Sequence, residues 1–192
     1  MTDLSILPPD LPVPEDDGAA DHLEGLEMPR GRTLPSTAGG ELDPGTAAGD
    51  GRLVAYVYPR TGTPGEPLIA GWDDIPGARG CTPQSCAYRE AIAEFSALEA
   101  TVIGVSAQTP AEQAEFAARE QIPFPLLSDS GLALADSIGL PTFEAGGLRL
   151  YRRLTLVLEA ATIVKCFYPV FPPDRDAAEV LAWLREAGHG GP

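Results

Sequence analysis

Basic residues are scarce in this 192-residue chain: 13 Lys and Arg stand against 28 Asp and Glu, a formal net charge of -15. A surface this acidic repels phosphate backbones and anionic headgroups, which argues against nucleic acid or a membrane surface as partner. Long apolar runs are also missing, and none approaches the roughly 18 residues that a membrane-spanning helix needs. The opening residues MTDLSILPPD have neither a basic start nor an apolar stretch behind it, so no signal peptide is expected. Cysteine is sparse and odd in number, with Cys81, Cys86 and Cys166 only. Small secreted scaffolds carry dense, even sets, so the reducing cytoplasm is the expected compartment. The two histidines, His22 and His189, stand in the first fifty residues and the last few. With C-x4-C an unusual zinc spacing as well, no metal is expected.

What charge there is lies unevenly. Residues 1–50 hold eleven acids against Arg30 and Arg32, with seven prolines, seven glycines and no Phe, Trp or Tyr. Such a stretch cannot bury enough apolar area by itself to offset its ordering entropy. We read it as an extended arm, with room for a hairpin near residues 33–46. A domain is expected over 51–187, followed by a tail over 188–192.

From residue 52 the texture changes. LVAYVY, residues 53–58, is β-branched and aromatic and stops at Pro59, the pattern of a buried strand. A Gly- and Pro-rich loop fills 59–80. Ala87, Ala91, Phe95 and Leu98 recur at helical spacing within a helix over about 82–99. TVIGVS, 101–106, reads as a second strand. Thr109 with Pro110 and Glu112 opens a helix to about 121. A short strand at 124–127 and a short helix at 130–138 follow. RLTLVL and TIVKCF, 153–158 and 162–167, form a hairpin, and Asp174 caps a last helix through 186. Alternating units first and a hairpin later imply an α/β fold of thioredoxin-like layout: three layers, with a mixed central sheet and helices on both faces.

The chemistry gathers at GCTPQSCAYRE, residues 80–90. Thr82-Pro83 stands where a helix should begin, so Cys81 sits among unpaired backbone N–H groups at the positive end of a helix dipole, a place that favours thiolate. Cys86 is five residues on. In an unbroken helix the two Cα atoms stand about 8–9 Å apart, and a disulfide wants less than about 7 Å. The pair can bond only if the first turns unwind, which is a switch and not a staple. The same placement also suits an inert core cysteine, and a C-x-x-C reductase motif is absent.

These residues resemble the active-site segment of Q-type peroxiredoxins, the bacterioferritin-comigratory proteins, and the likeness runs over about residues 50–187. LVAYVYPRTGTPG, TVIGVS, FPLLSD and RLTLVL fall in the family's order. The resemblance implies that Cys81 attacks a peroxide and that Cys86 resolves the sulfenic acid. It also implies that Arg153 stands beside the reactive thiol, with Arg152 as the fallback on the opposite face. One departure matters. The family's Pro-x-x-x-Thr-x-x-Cys begins with Pro59 and Thr63, yet Glu66 stands where the cysteine would fall. Counting back from Cys81, the threonine and proline positions are Ala78 and Asp74. The loop is expanded by about fifteen residues, EPLIAGWDDIPGARG, a count taken against that family pattern. The substrate-binding candidates are therefore Pro59, Thr61, Thr63 and Thr82. Trp72 and Ile75 are expected to pack the inserted loop, and Cys166 to be a small core residue.

The expectation is a cytoplasmic thiol peroxidase for hydrogen peroxide and small organic hydroperoxides. It would need no cofactor, be recycled by thioredoxin or a similar dithiol, and be a monomer or homodimer. Two other readings stay open: a redox sensor switched by Cys81 and Cys86, and a protein disulfide reductase of thioredoxin fold.

Overall fold

The structure is a computed structural model that describes residues 4–49 and 51–188. Within the arm, β1 (Leu34–Pro35) and β2 (Glu41–Leu42) form a small antiparallel ribbon. The order continues with β3 (Arg52–Val57), α1 (Cys81–Ala97), β4 (Ala100–Ser106), α2 (Pro110–Arg119), β5 (Leu126–Ser128) and α3 (Ala133–Ile138). It ends with β6 (Thr142–Ala145), β7 (Leu148–Tyr151), β8 (Leu154–Glu159), β9 (Thr162–Phe167) and α4 (Asp176–Gly188). Five strands make a mixed sheet in the order β5-β4-β3-β8-β9; β3, β4 and β5 run parallel, and β8 and β9 run antiparallel to their neighbours.

The apolar run of β3 is continuous because both of its faces are covered. Leu53, Ala55 and Val57 face one core, which includes Leu134, Ala135 and Ile138 of α3. Val54 and Tyr56 face the other, with Tyr88 and Phe95 of α1, Phe116 of α2, and Val180, Leu181 and Leu184 of α4. The result is the expected three-layer α/β arrangement. Local chemistry agrees with it at α2, where Thr109 Oγ accepts from Glu112 N–H and the Glu112 carboxylate accepts from Thr109 N–H, a reciprocal cap. Among the described residues, no helix is long and apolar enough to cross a membrane.

Before β8 the chain adds an element for which the sequence reading had no assignment: β6 and β7 form a separate hairpin about Gly146 and Gly147, both at positive φ. Two sequence expectations are corrected. The short strand begins at Leu126 rather than 124, because Pro123 and Pro125 cannot donate to a ladder. The last helix begins at Asp176. Asp174 stays exposed in a 3-10 turn, Pro173–Arg175, while Asp176 is drawn inward by three hydrogen-bond donors.

The arm packs on the domain along its length. Leu23, Met28 and Leu34 are buried in the α3-side core. Its backbone bonds to β9 through Gly25 N–H to Ile163 C=O (2.8 Å) and Ile163 N–H to Leu26 C=O (2.8 Å). Further along, Thr37 N–H reaches Leu126 C=O of β5 (3.0 Å).

Candidate active site

Cys81 is the first residue of α1 and is 3 % exposed. Gly80 before it has φ 104°, which L side chains rarely adopt, and a Cβ there would lie 2.4 Å from Pro173 and 2.7 Å from Leu7. The glycine therefore lets the chain turn tightly into the helix and leaves the sulfur beside the helix-start N–H groups.

Arg153 sits just ahead of β8 and is also 3 % exposed. Its Nη2 donates to Cys81 Sγ at 3.3 Å and to the carbonyls of Gly77, Ala78 and Arg79 at 3.2, 3.1 and 3.1 Å. Its Nη1 donates to Gln84 Oε1. Three successive carbonyls of the loop thus hold the guanidinium against the sulfur, and the site's permanent cation has little freedom to leave. Arg152 turns the other way, to Thr142 C=O (3.4 Å) and Asp17 (3.7 Å), as alternation along an extended chain requires.

The thiol faces a narrow cavity with about 10 Å³ of free space, room for the centre of roughly one water molecule. Thr61 and Thr82 line it, with Arg79 alongside, and Leu4 of the arm and Trp72 of the expanded loop complete its walls. Thr61 is buried, and both its N–H and its hydroxyl donate to Gln108 Oε1, at 2.8 and 2.9 Å. Thr63 is exposed and lines an adjoining cavity with Glu66 and Leu68. Pro59 is buried at the end of β3, its carbonyl accepting from Ser106 Oγ at 3.1 Å. The expanded loop has a core of its own, in which Trp72 and Ala78 meet Leu150 of the β6–β7 hairpin, with Ile75 and Phe143 packed against them. Trp72 thus packs the loop and also walls the cavity.

Cys86 lies half-buried on the same helix, 3.8 Å from Glu120 Oε2. Burial pushes its thiol above the usual range; Arg89 opposes this, and Glu120 and Glu90 add to it. All three cysteines are free thiols, and α1 is unbroken between Cys81 and Cys86. A helix of that geometry holds their Cα atoms about 8–9 Å apart, so bonding requires its first turns to open. Cys166 on β9 sits opposite Leu156, and its thiol is pushed up to about 12, first by burial and then by Glu24.

Sequence reasoning missed three contributors: Gln108, which holds Thr61; Leu4, which reaches the cavity from the arm; and Asp176, which holds Gln84. Each contact joins residues at least forty positions apart, and no local pattern announces such a pair. The arrangement suits nucleophilic attack by sulfur on a small neutral electrophile, with fixed donors ready for the charge that develops on the departing atom.

Comparison with known proteins bears on the family and the fold. The Redoxin family profile matches residues 23–181. A chloroplastic peroxiredoxin Q of Oryza sativa subsp. japonica is 32% identical over 171 residues, covering 82% of this chain and 76% of that protein. Among solved structures, the peroxidoxin BcpB of Mycobacterium tuberculosis superposes with a TM-score of 0.68 at 26% identity, over 85% of this chain and 96% of that one. A peroxiredoxin Q of Xanthomonas campestris gives 0.65 at 24% identity, over 84% and 96%, and supports the fold alone.

Proposed function

The chain belongs to the redoxin family, among its Q-type peroxiredoxins, and from that premise we propose that its thiol peroxidase activity is carried by Cys81. The Cys81 thiolate attacks one oxygen of a peroxide and the O–O bond breaks. Sulfur gains the hydroxyl as sulfenic acid, and the other oxygen leaves and is protonated to water or an alcohol. Arg153 and the helix-start N–H groups stabilise the charge on the leaving oxygen. Thr61, Thr82 and Pro59 shape the approach, with Thr61 favoured over Thr63 because Thr61 lines the thiol's cavity. After the first turns of α1 open, Cys86 sulfur attacks the sulfenic sulfur, water departs, and a disulfide forms. Two thiols of an external dithiol then reduce it, and we assign that role to thioredoxin.

Residues 51–187 are taken as the catalytic unit, 1–50 as its arm and 188–192 as its tail, of which 189–192 lie outside the described residues. The proposed setting is the cytoplasm, with hydrogen peroxide and small organic hydroperoxides as substrates and neither nucleic acid nor membrane as partner. The proposed state is a monomer or homodimer. The observation that carries the reading is Arg153 Nη2 held 3.3 Å from Cys81 Sγ at the floor of a water-sized cavity. The test is peroxide turnover coupled to thioredoxin and its reductase. Wild type turns over, Cys81→Ser is inert, and Cys86→Ser reacts once without cycling. Turnover by Cys81→Ser would overturn the mechanism.

A further inference from the structure

Asp176 opens α4 and is 1 % exposed. One of its oxygens, Oδ2, accepts three hydrogen bonds: from Gln84 Nε2 (2.7 Å) and Tyr88 Oη (3.0 Å) on α1, and from Thr155 Oγ1 on β8 (2.7 Å). Oδ1 has no hydrogen-bond partner among the described residues. Burying a carboxyl with one oxygen unpaired is costly, and an apolar side chain would serve packing better. The acid has a polar task to perform.

That task is visible at Gln84, which is fully buried. A glutamine amide has a donor end and an acceptor end. Its donor end meets Asp176, and so its acceptor end faces Arg153 Nη1. Reversed, the amide would set NH2 against the guanidinium and its carbonyl against the carboxyl, which is two mismatches at once. We propose that Asp176 is a positioning residue of the Cys81 site, fixing the polarity of the Gln84 amide so that Gln84 orients Arg153 against the sulfur. The chain of contacts is Asp176, Gln84, Arg153, Cys81, and it spans α4, α1 and the approach to β8. The proposal rests on the reading of Cys81 as the reacting thiol.

The test uses the full chain carrying Cys86→Ser and Cys166→Ser, so that Cys81 is the only thiol. Asp176→Leu, Asp176→Asn, Gln84→Leu and the Asp176→Leu/Gln84→Leu double variant are compared. Two quantities are measured: the rate with hydrogen peroxide, and the pH profile of Cys81 alkylation by iodoacetamide. Asp176→Leu is expected to lose about tenfold or more in peroxide rate, the size of one charge-assisted hydrogen bond, with its alkylation profile moved to higher pH. Asp176→Asn, whose carbonyl still accepts from Gln84, stays within about threefold, and Asp176→Leu adds nothing to Gln84→Leu. If Asp176→Leu does not fold, Asp176→Ser, polar but too short to reach Gln84, gives the same readout. The proposal is overturned if the variant lacking the acceptor matches its parent in both measurements, if Asp176→Asn falls as far, or if the two single losses multiply in the double variant. Adding Cys81→Ser to the same background separates the two readings. Peroxide consumption there defeats the assignment of Cys81, whereas an unaffected Asp176→Leu defeats the positioning role alone.

Discussion

Replacing Arg153 with methionine keeps much of the side chain's volume and removes its charge and donors. The structure sets the scale of the effect. A unit charge 3.3 Å from the sulfur is worth at most about 5 kcal/mol at an effective dielectric of 20, and a hydrogen bond to a charged group is worth about 1.5–3 kcal/mol net. Because the guanidinium charge is spread over three nitrogens, the lower range applies. A loss of about 2–3 kcal/mol is roughly 30- to 150-fold in the rate of the peroxide step. Trp72 walls the same cavity, so stopped-flow tryptophan fluorescence after a pulse of peroxide reads that step directly. Arg153→Met also strands the carbonyls of Gly77, Ala78 and Arg79, so its rate must be measured well below its unfolding temperature. Arg152→Met is the matched control: its side chain points to Asp17 and Thr142, and its rate should stay within about twofold. If Arg153→Met came within threefold of wild type while Arg152→Met did not, the electrostatic account of this thiol would be wrong.

Leu23→Ala should cost about 2–5 kcal/mol in chemical denaturation, since Leu23 is fully buried in the α3-side core; a loss under about 1 kcal/mol would mean that the arm does not share the domain's core. Deleting residues 1–12 removes Leu4 from the lining of the thiol's cavity and Leu7 from beside Gly80. The rate with tert-butyl hydroperoxide should then rise several-fold relative to hydrogen peroxide, and an unchanged ratio would show that the arm does not limit access. In Cys81→Ser, alkylation of Cys86 should be slow at pH 7 and climb with pH, because burial with Glu120 and Glu90 raises this thiol and its reactive thiolate is gained only as the pH rises. In that background Glu120→Gln should speed the alkylation at pH 8, and a rate already at plateau there with Glu120 intact would contradict the assignment of causes.

The parts of the fold legible in the sequence are those whose signal is local. Residues 53–58 and 101–106 announce buried strands by unbroken apolar runs, and Thr109-Pro110 with Glu112 announces a helix start through groups within four residues of one another. The β6–β7 hairpin carried a local signal too, Gly146-Gly147 between two short runs. Its inward residues divide between two cores, Ala145 and Leu150 on the expanded loop and Tyr151 on the α3-side core, so they show no core-length periodicity. Asp174 and Asp176 are equally good capping residues by type. Which one turns inward is decided by Thr155, Gln84 and Tyr88, and those contacts exist only after the chain has folded. Within the site, the thiol and its helix start were readable from residues 80–90. The tie between Thr61 and Gln108 spans 47 residues and was not.

The path of the arm bears on how copies of this chain can meet. A sheet's outer strands expose unpaired backbone groups and invite another chain to add itself there. In this sheet the outer strands are β5 and β9, and the arm lies on both: Ser36 bridges to Leu127, and Glu27 bridges to Thr162. The chain has in effect supplied its own extra strands. A dimer joined border to border through this sheet would first have to peel away a segment anchored by Leu23, Met28 and Leu34, whose removal from the core exposes three buried side chains at about 1.5–3 kcal/mol each. Self-association is thereby steered to helical or loop surfaces, and the arm keeps the sheet from acting as a template for its neighbours.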